Sequence, residues 1–340
     1  MIKIFRKTIR PFSKSAEIRC RGYSLPLQRV MTDFGAEESF FHATERIKEH
    51  YGIEIPASAV ASTTENHAKQ MFDNQVVCNE ISDEPGVDVI VAETDGSMVP
   101  IVEIDGSKRG DKRKSRSVKW KEARLCLVRV WNTVSPLFRA TMGSVDDVGD
   151  LLLDASIEAG MGIKTKIHGV GDGAKWIRDQ FERVFSTHAT YLLDFYHVCD
   201  YLFSAAKGAF PSDSQAWYET NKKRLRRNHH KAVIKDLAKH IEGTNLPDEQ
   251  APVRACHRYL SSRKDQLDYK GALTAGLPIG SGEIESSHRF VIQERLKIPG
   301  AWWTEDNAAY MLALRVVRSN GKWDNYWEGL KCPDEEKLAA

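Results

Sequence analysis

Three carboxylates in this chain sit where chemistry could be done. Asp95 closes the apolar run Val89-Ile90-Val91-Ala92 and precedes Gly96-Ser97. Asp172 follows Ile167-His168-Gly169-Val170-Gly171 and precedes Gly173-Ala174. Glu285 lies at the start of a helix-like stretch, Gly280-Ser281-Gly282-Glu283-Ile284-Glu285-Ser286-Ser287-His288-Arg289. Carboxylate oxygens are hard ligands that suit Mg²⁺. Two such ions held ~3.5–4 Å apart can serve an in-line phosphoryl displacement. Two strand-end aspartates and a late helical glutamate could therefore form a cage that cuts and joins nucleic acid. Taken singly, an Asp-Gly pair is an ordinary turn, and the chain holds 47 acidic residues. The elements that carry these three must decide.

Those elements are legible from periodicity. Val87–Asp95 is rich in β-formers, and Met98–Ile104 predicts a short return strand, so Asp95-Gly96 is expected at a turn. Glu122–Trp131 and Leu137–Thr141 predict two further strands. Ser144 with Asp147 has the spacing of a capping box, and Val148, Leu151, Leu152, Ala155 and Ala159 give the following helix one apolar face. Thr165–Val170 predicts a strand that delivers Asp172; Ala174–Phe185 a helix; Thr190–Leu193 a strand; Phe195–Ala209 a helix. Strands of antiparallel type followed by βαβ units describe an α/β fold with a mixed sheet and helices on its faces. The order matches an RNase H-like core, in which the first and fourth strands are neighbours, so the two aspartates can meet.

Around this core the chain divides as follows. Residues 1–36 have weak periodicity and predict little structure. Residues 37–82 predict two helices with a break at Gly52-Ile53-Glu54-Ile55-Pro56, the outline of a helix-turn-helix DNA-binding region or of an ordinary helical hairpin. Residues 87–210 form the first part of the catalytic core, and 211–275 a polar, basic helical insertion. The final helices of the core span 276–330, and 331–340 form a tail.

Net charge is only +2, but its distribution is uneven. Eight Lys/Arg and one Asp fall between Lys108 and Lys121, among them Lys112, Arg113 and Lys114. A second cluster, Lys222 to Lys231, includes Arg226 and Arg227. Separated basic stripes suit a polyanion, although a short charge run can be merely solvated. Arg289, Arg295 and Lys297 near the glutamate could grip phosphates, and Trp302 or Trp303 could stack on an unpaired base or belong to the core. The six cysteines form no CxxC pair, which excludes a zinc knuckle or redox motif and points to free thiols. No apolar run reaches the ~20 residues of a membrane span.

Several long phrases resemble the bacterial insertion-sequence transposases of the ISKra type. They are Asp95-Gly96-Ser97-Met98-Val99-Pro100, Gly171-Asp172-Gly173-Ala174-Lys175-Trp176-Ile177, the glutamate stretch above, and Arg295-Leu296-Lys297-Ile298-Pro299-Gly300-Ala301-Trp302-Trp303. Leu314-Arg315 through Asn320 and Trp323-Asp324-Asn325-Tyr326-Trp327 fit too, so the resemblance spans roughly residues 25–330. It implies a DDE transposase with an RNase H-like domain and two Mg²⁺ ions, for which Mn²⁺ could substitute. Asp95, Asp172 and Glu285 would be the catalytic, metal-holding triad. Glu285 and Glu283 are about 200° apart on a helix, so only one can face the cage; the family phrase, with its glutamate after Gly-x-Ile/Val, favours Glu285. Asp194-Phe195-Tyr196-His197 resembles a Cys/Asp-x-x-His motif of related enzymes, which makes His197 a catalytic candidate; a structural histidine is the alternative. His288 is expected to support the cage rather than to ligate.

The expected activity is cleavage at element ends and strand transfer into target DNA, by a homo-oligomer on DNA in a bacterial cytoplasm or nucleoid. One departure stands out. Such family members usually begin with a segment of zinc-type CxxC pairs, whereas this chain has only Cys20 in its first 77 residues. A shortened, non-catalytic DNA-binding regulator is therefore a second expectation, and an RNase H-like nuclease without strand transfer a third.

Overall fold

The computed structural model describes residues 22–104 and 115–331. The elements follow in order: α1 (Leu25–Glu37), α2 (Phe40–Tyr51), α3 (Ala57–Asp73), β1 (Val89–Ile104), β2 (Arg116–Val130), β3 (Leu137–Thr141), α4 (Val145–Glu158), β4 (Lys166–Gly171), α5 (Lys175–Phe185), β5 (Ala189–Leu193) and α6 (Phe195–Ala209). Then come α7 (Ser214–Arg226), α8 (His230–Leu237), α9 (Pro252–Ser261), α10 (Tyr269–Thr274), α11 (Gly282–Ser287), a π-helical turn (His288–Gln293), α12 (Glu294–Leu296), α13 (Glu305–Ser319) and α14 (Trp323–Lys331).

The five strands form one mixed sheet in the order β3-β2-β1-β4-β5. β2 runs antiparallel to β1 and β3, while β4 runs parallel to β1 and β5. The predicted neighbours, first strand and fourth, are thus paired. The expected hairpin at Asp95-Gly96 is absent. β1 is one continuous strand through both residues, because β2 pairs it along its whole length, with Asp95 opposite Leu125 and Gly96 opposite Arg124. A long partner supplies the ladder hydrogen bonds that a turn would forfeit. β4 pairs β1 only over Val89–Glu93. Asp95 is therefore not at the end of its strand, but at the point where β1 runs past β4.

Side-chain alternation assigns the two faces of the sheet. Ile90, Ala92, Cys126 and Val128 pack with Val148 and Leu152 of α4 and with Ile177, Phe181 and Phe185 of α5. The capping box of α4 is complete, with Ser144 and Asp147 bonded in both directions. On the opposite face Val99, Ile101, Leu125 and Leu127 pack with Ile284, Val291, Ile292, Leu296 and the buried side of α13. Glu93 and Asp95 belong to this second face, under the glutamate-bearing helix. The insertion has its own apolar cluster, continuous with Val170, Leu193 and α6.

Helix α1 occupies the last third of the stretch for which weak periodicity predicts little structure. Pro26 starts it favourably, and it buries Leu25, Met31 and Ala36 together with Gln28 and Thr32. Those two buried polar residues dilute the apolar pattern, yet both are bonded: Gln28 to the Tyr23 carbonyl and Thr32 to the Gln28 carbonyl. Helices α2 and α3 lie where expected, with Gly52 in a left-handed cap between them. One face of α3 is spent on α13 and α1. Side-chain bonds tie α3 to the C-terminal helices: His67 Nδ1 lies 2.7 Å from the Tyr326 hydroxyl of α14, and Asn307 of α13 donates to Glu65 at 2.9 Å.

Candidate functional site

In the parallel register of β1 and β4, Glu93 stands opposite Val170. Two residues further along each chain stand Asp95 and Asp172. The pairing ends at Glu93 and Val170: Asp95 continues along β1, and Asp172 is the first residue past the end of β4. Asp95 carries a pKa raised to about 6, first by burial and then by the nearby charges of Asp172, Glu122 and Glu285, against the Gly96 N–H it accepts. Asp172, in the turn after β4, and Glu285, on α11, are therefore both within electrostatic reach of Asp95 on β1. Gathering like charges is unfavourable unless a cation compensates. Among the described residues neither Asp172 nor Glu285 has an ion pair, and the partner of Asp95 is His288, with Nε2 3.5 Å from Oδ2.

The backbone around the aspartates is specialised in two different ways. Gly96 is extended, and its role is close approach: a Cβ there would lie 2.0 Å from Glu122 Oε1. Gly173 makes a true turn with φ +83°, the left-handed region that favours glycine. Asp172 Oδ1 accepts the Ala174 N–H at 2.8 Å and so closes that turn.

Helix α11 is held by carboxylates that are not its own. The buried Asp194 accepts the Ser281 N–H at 2.5 Å and the Ser281 hydroxyl at 2.7 Å through Oδ2. Its Oδ1 caps α6, accepting the N–H groups of Tyr196 (2.6 Å) and His197 (2.8 Å). Glu93 Oε2 accepts the Ile284 N–H at 2.9 Å. Glu93 is fully buried. Burial raises its pKa to about 8, above the usual carboxylate range, with Glu283 and Asp194 adding to the effect and the Ile284 N–H opposing it. Sequence inspection passes over Glu93, yet one signal was available, a lone carboxylate inside an apolar strand two residues before Asp95.

Glu283 and Glu285 separate cleanly. Arg129 Nε lies 3.0 and 2.8 Å from the two oxygens of Glu283. Glu285 is exposed and carries no such partner among the described residues. Directly after α11 the helix widens into a π turn that buries His288, Val291 and Ile292. Such turns recur at functional sites. His288 is 3% exposed. Burial lowers its pKa to about 4, assisted by Lys297, so the ring is neutral beside Asp95. Neither ring nitrogen makes a full hydrogen bond.

The other sequence candidates fare unevenly. His197 sits in the first turn of α6 with its ring beside Tyr201, at 6.2 Å between centroids; no described contact joins it to the three carboxylates. Arg289 is exposed and loosely paired with Glu294 at 3.6 Å. Arg226 and Arg227 are exposed at the end of α7, and Lys297 is half-buried near His288. Arg295 contradicts the expectation of a phosphate contact. It is 1% exposed, with its guanidinium 4.7 Å from the Phe40 ring and 4.6 Å from the Trp303 ring, and it donates to the Gly35 carbonyl at 2.9 Å. Trp303 is core, whereas Trp302 is exposed beneath the Arg116 guanidinium at 3.9 Å. Lys112, Arg113 and Lys114 lie outside the described residues.

As a metal site the arrangement is open. The donors are all oxygen and are gathered with surplus negative charge, as a hard cation requires. Among the described residues, however, no three His, Cys, Asp or Glu side chains stand close enough to hold an ion at once. Asp95, Asp172 and Glu285 would fit the group in donor chemistry.

Comparison with known proteins adds two similarities. The model of a family described as "Uncharacterised protein family (UPF0236)" matches residues 160–328, a span that contains Asp172, the insertion and Glu285. The solved Drosophila P element transposase strand transfer complex aligns with a TM-score of 0.32 at 9% identity, covering 94% of this chain and 83% of that chain. No curated protein matches the chain. Among the described residues no helix is long and apolar enough to cross a membrane.

Proposed function

We propose that this protein is a DDE transposase that cleaves DNA at the ends of its element and joins the freed 3′-OH to target DNA. The observation that carries the proposal is that Asp95, just past the β1–β4 pairing, has both Asp172 and Glu285 in electrostatic reach, with no Lys or Arg ion pair on any of the three among the described residues. The sheet order β3-β2-β1-β4-β5, with two antiparallel and two parallel pairings, supports an RNase H-like core. The phrases around all three residues that resemble ISKra-type transposases support the activity.

Asp95, Asp172 and Glu285 would hold the divalent cations, Mg²⁺ or Mn²⁺. When bound, these would supply the Lewis acidity that phosphoryl displacement needs. The chain's own residues do the positioning. Asp194 and Glu93 fix the start of α11 against α6 and β1. Arg129 holds Glu283, whereas Glu285 has no such partner among the described residues. Neutral His288 packs against Asp95 without adding a competing positive charge. Exposed Arg226, Arg227 and Arg289 are candidates to contact phosphates. Homo-oligomer formation on DNA belongs to the same proposal.

The test uses DNA flanking the gene as substrate with Mg²⁺. Cleaved ends that become covalently joined to a second duplex are the expected result. Cleavage without joining would select a nuclease. Binding without any nicking in Mg²⁺ or Mn²⁺ would select a DNA-binding regulator and overturn the enzyme.

A further inference from the structure

We propose that the helical insertion sets the position of Asp172, with Tyr259 and Arg263 as the positioning residues. This rests on Asp172 being a metal ligand, as proposed above. Around the turn at Asp172-Gly173 four backbone polar groups have partners: both carbonyls of the pair and the N–H groups of Gly173 and Ala174. The Tyr259 hydroxyl, from α9, donates to the Asp172 carbonyl at 2.5 Å. Arg263, just beyond α9, donates to the Gly173 carbonyl through Nε at 3.0 Å and Nη2 at 2.9 Å. The Gly173 N–H points to the Tyr191 hydroxyl of β5 at 3.4 Å, and the Ala174 N–H donates to the Asp172 carboxylate at 2.8 Å.

The clamp is itself braced. The Tyr259 ring stacks on Tyr201 of α6 with centroids 4.2 Å apart and planes 12° apart. The Arg263 guanidinium lies 4.4 Å from the centre of the Tyr259 ring, and a Cβ on Gly173 would meet Leu193 Cδ1 at 2.4 Å and Arg263 Nε at 2.9 Å. Tyr259 belongs to the same apolar cluster as Val170 and Leu193, so α9 and the end of β4 share one packed core. A carboxylate on a short turn is only as well placed as its peptide planes. Here three side chains fix those planes, two of them from the insertion. Partners of this kind, which orient a ligand without touching the ion, typically change metal affinity 10–100-fold when removed.

A stapling role alone, in which the same bonds merely attach the insertion, makes a different forecast. It would lower the urea midpoint of the variants without altering metal binding by the folded protein. The experiment measures Mn²⁺ binding to the full chain from the loss of free-ion electron paramagnetic resonance signal, with the urea midpoint measured in parallel. The proteins are wild type, Asp172→Asn, Tyr259→Phe, Arg263→Gln and Arg263→Lys. Tyr259→Phe and Arg263→Gln should each weaken Mn²⁺ binding by roughly tenfold or more while remaining folded, and Arg263→Lys, which restores one donor, should recover part of the loss. If Asp172→Asn weakens binding but Tyr259→Phe and Arg263→Gln bind as wild type does, the positioning role is overturned while Asp172 remains a ligand. If wild type binds no Mn²⁺, or Asp172→Asn binds it unchanged, the assignment of Asp172 fails and the positioning role with it.

Discussion

The carboxylate of Asp194 accepts both the N–H and the hydroxyl of Ser281, 87 residues away, while capping its own helix α6. One buried side chain thus joins the first helix after the sheet to the helix that carries Glu285, across the whole insertion. Asp194→Ala removes a cap and leaves buried donors unpaired. It should cost roughly 3 kcal/mol, read from urea unfolding. Asp194→Asn, which keeps an acceptor oxygen for one side of the bridge, should cost less.

Glu283 and Glu285 are two residues apart but face different partners. Glu285→Gln should lower the single-turnover cleavage rate by more than about 100-fold, beyond the range of a supporting residue. Glu283→Gln loses the charge of its pair with Arg129 but keeps one acceptor oxygen, and should stay within about tenfold of wild type. Rates measured side by side at saturating DNA separate the two, and equal losses would remove the distinction.

What was legible in the sequence, and why the place of Arg295 was not, comes down to the range of the contacts involved. Strand and helix identity follow local periodicity, so β3, α4, α5 and α6 appear in sequence almost to the residue. The neighbouring of the strands that carry Asp95 and Asp172 follows from element order alone. The hairpin expected at Asp95-Gly96 failed because Asp-Gly is a turn signal only where no partner strand continues past it, and β2 does. Arg295 reads as a DNA-facing cation until Phe40, more than 250 residues earlier, is brought over its guanidinium. The roles of Glu93, Tyr259 and Arg263 were hidden for the same reason, since their partners Ile284, Asp172 and Gly173 are distant in the chain.

Asp95 should make metal binding steeply pH-dependent. With its pKa raised to about 6, the carboxyl is half-protonated near that pH and must lose its proton to ligate. Affinity for Mn²⁺ should therefore weaken as pH falls through about 6, and calorimetry should register proton release on binding in that range. A flat affinity between pH 5 and pH 7, roughly one unit on either side, would contradict this.

Glu93 acts on stability with the opposite emphasis. Its folded pKa, about 8, lies above its ordinary 4.5, so the folded state holds the proton more tightly than the unfolded chain does. Its contribution is fully present below 4.5 and is lost as pH rises through about 8. In EDTA, urea midpoints should fall across that window for wild type. Glu93→Gln keeps an acceptor for the Ile284 N–H but cannot titrate, and its curve should be flatter there.

The central claim is that Asp95, Asp172 and Glu285 act as one divalent-metal centre on DNA. Its most direct test is the Mg²⁺-dependent cleavage rate of DNA flanking the gene by wild type and by Asp95→Asn, with both proteins shown to be folded by circular dichroism. Wild type should cleave only with the metal present, and Asp95→Asn should not cleave at all. Undiminished cleavage by Asp95→Asn would contradict the assignment.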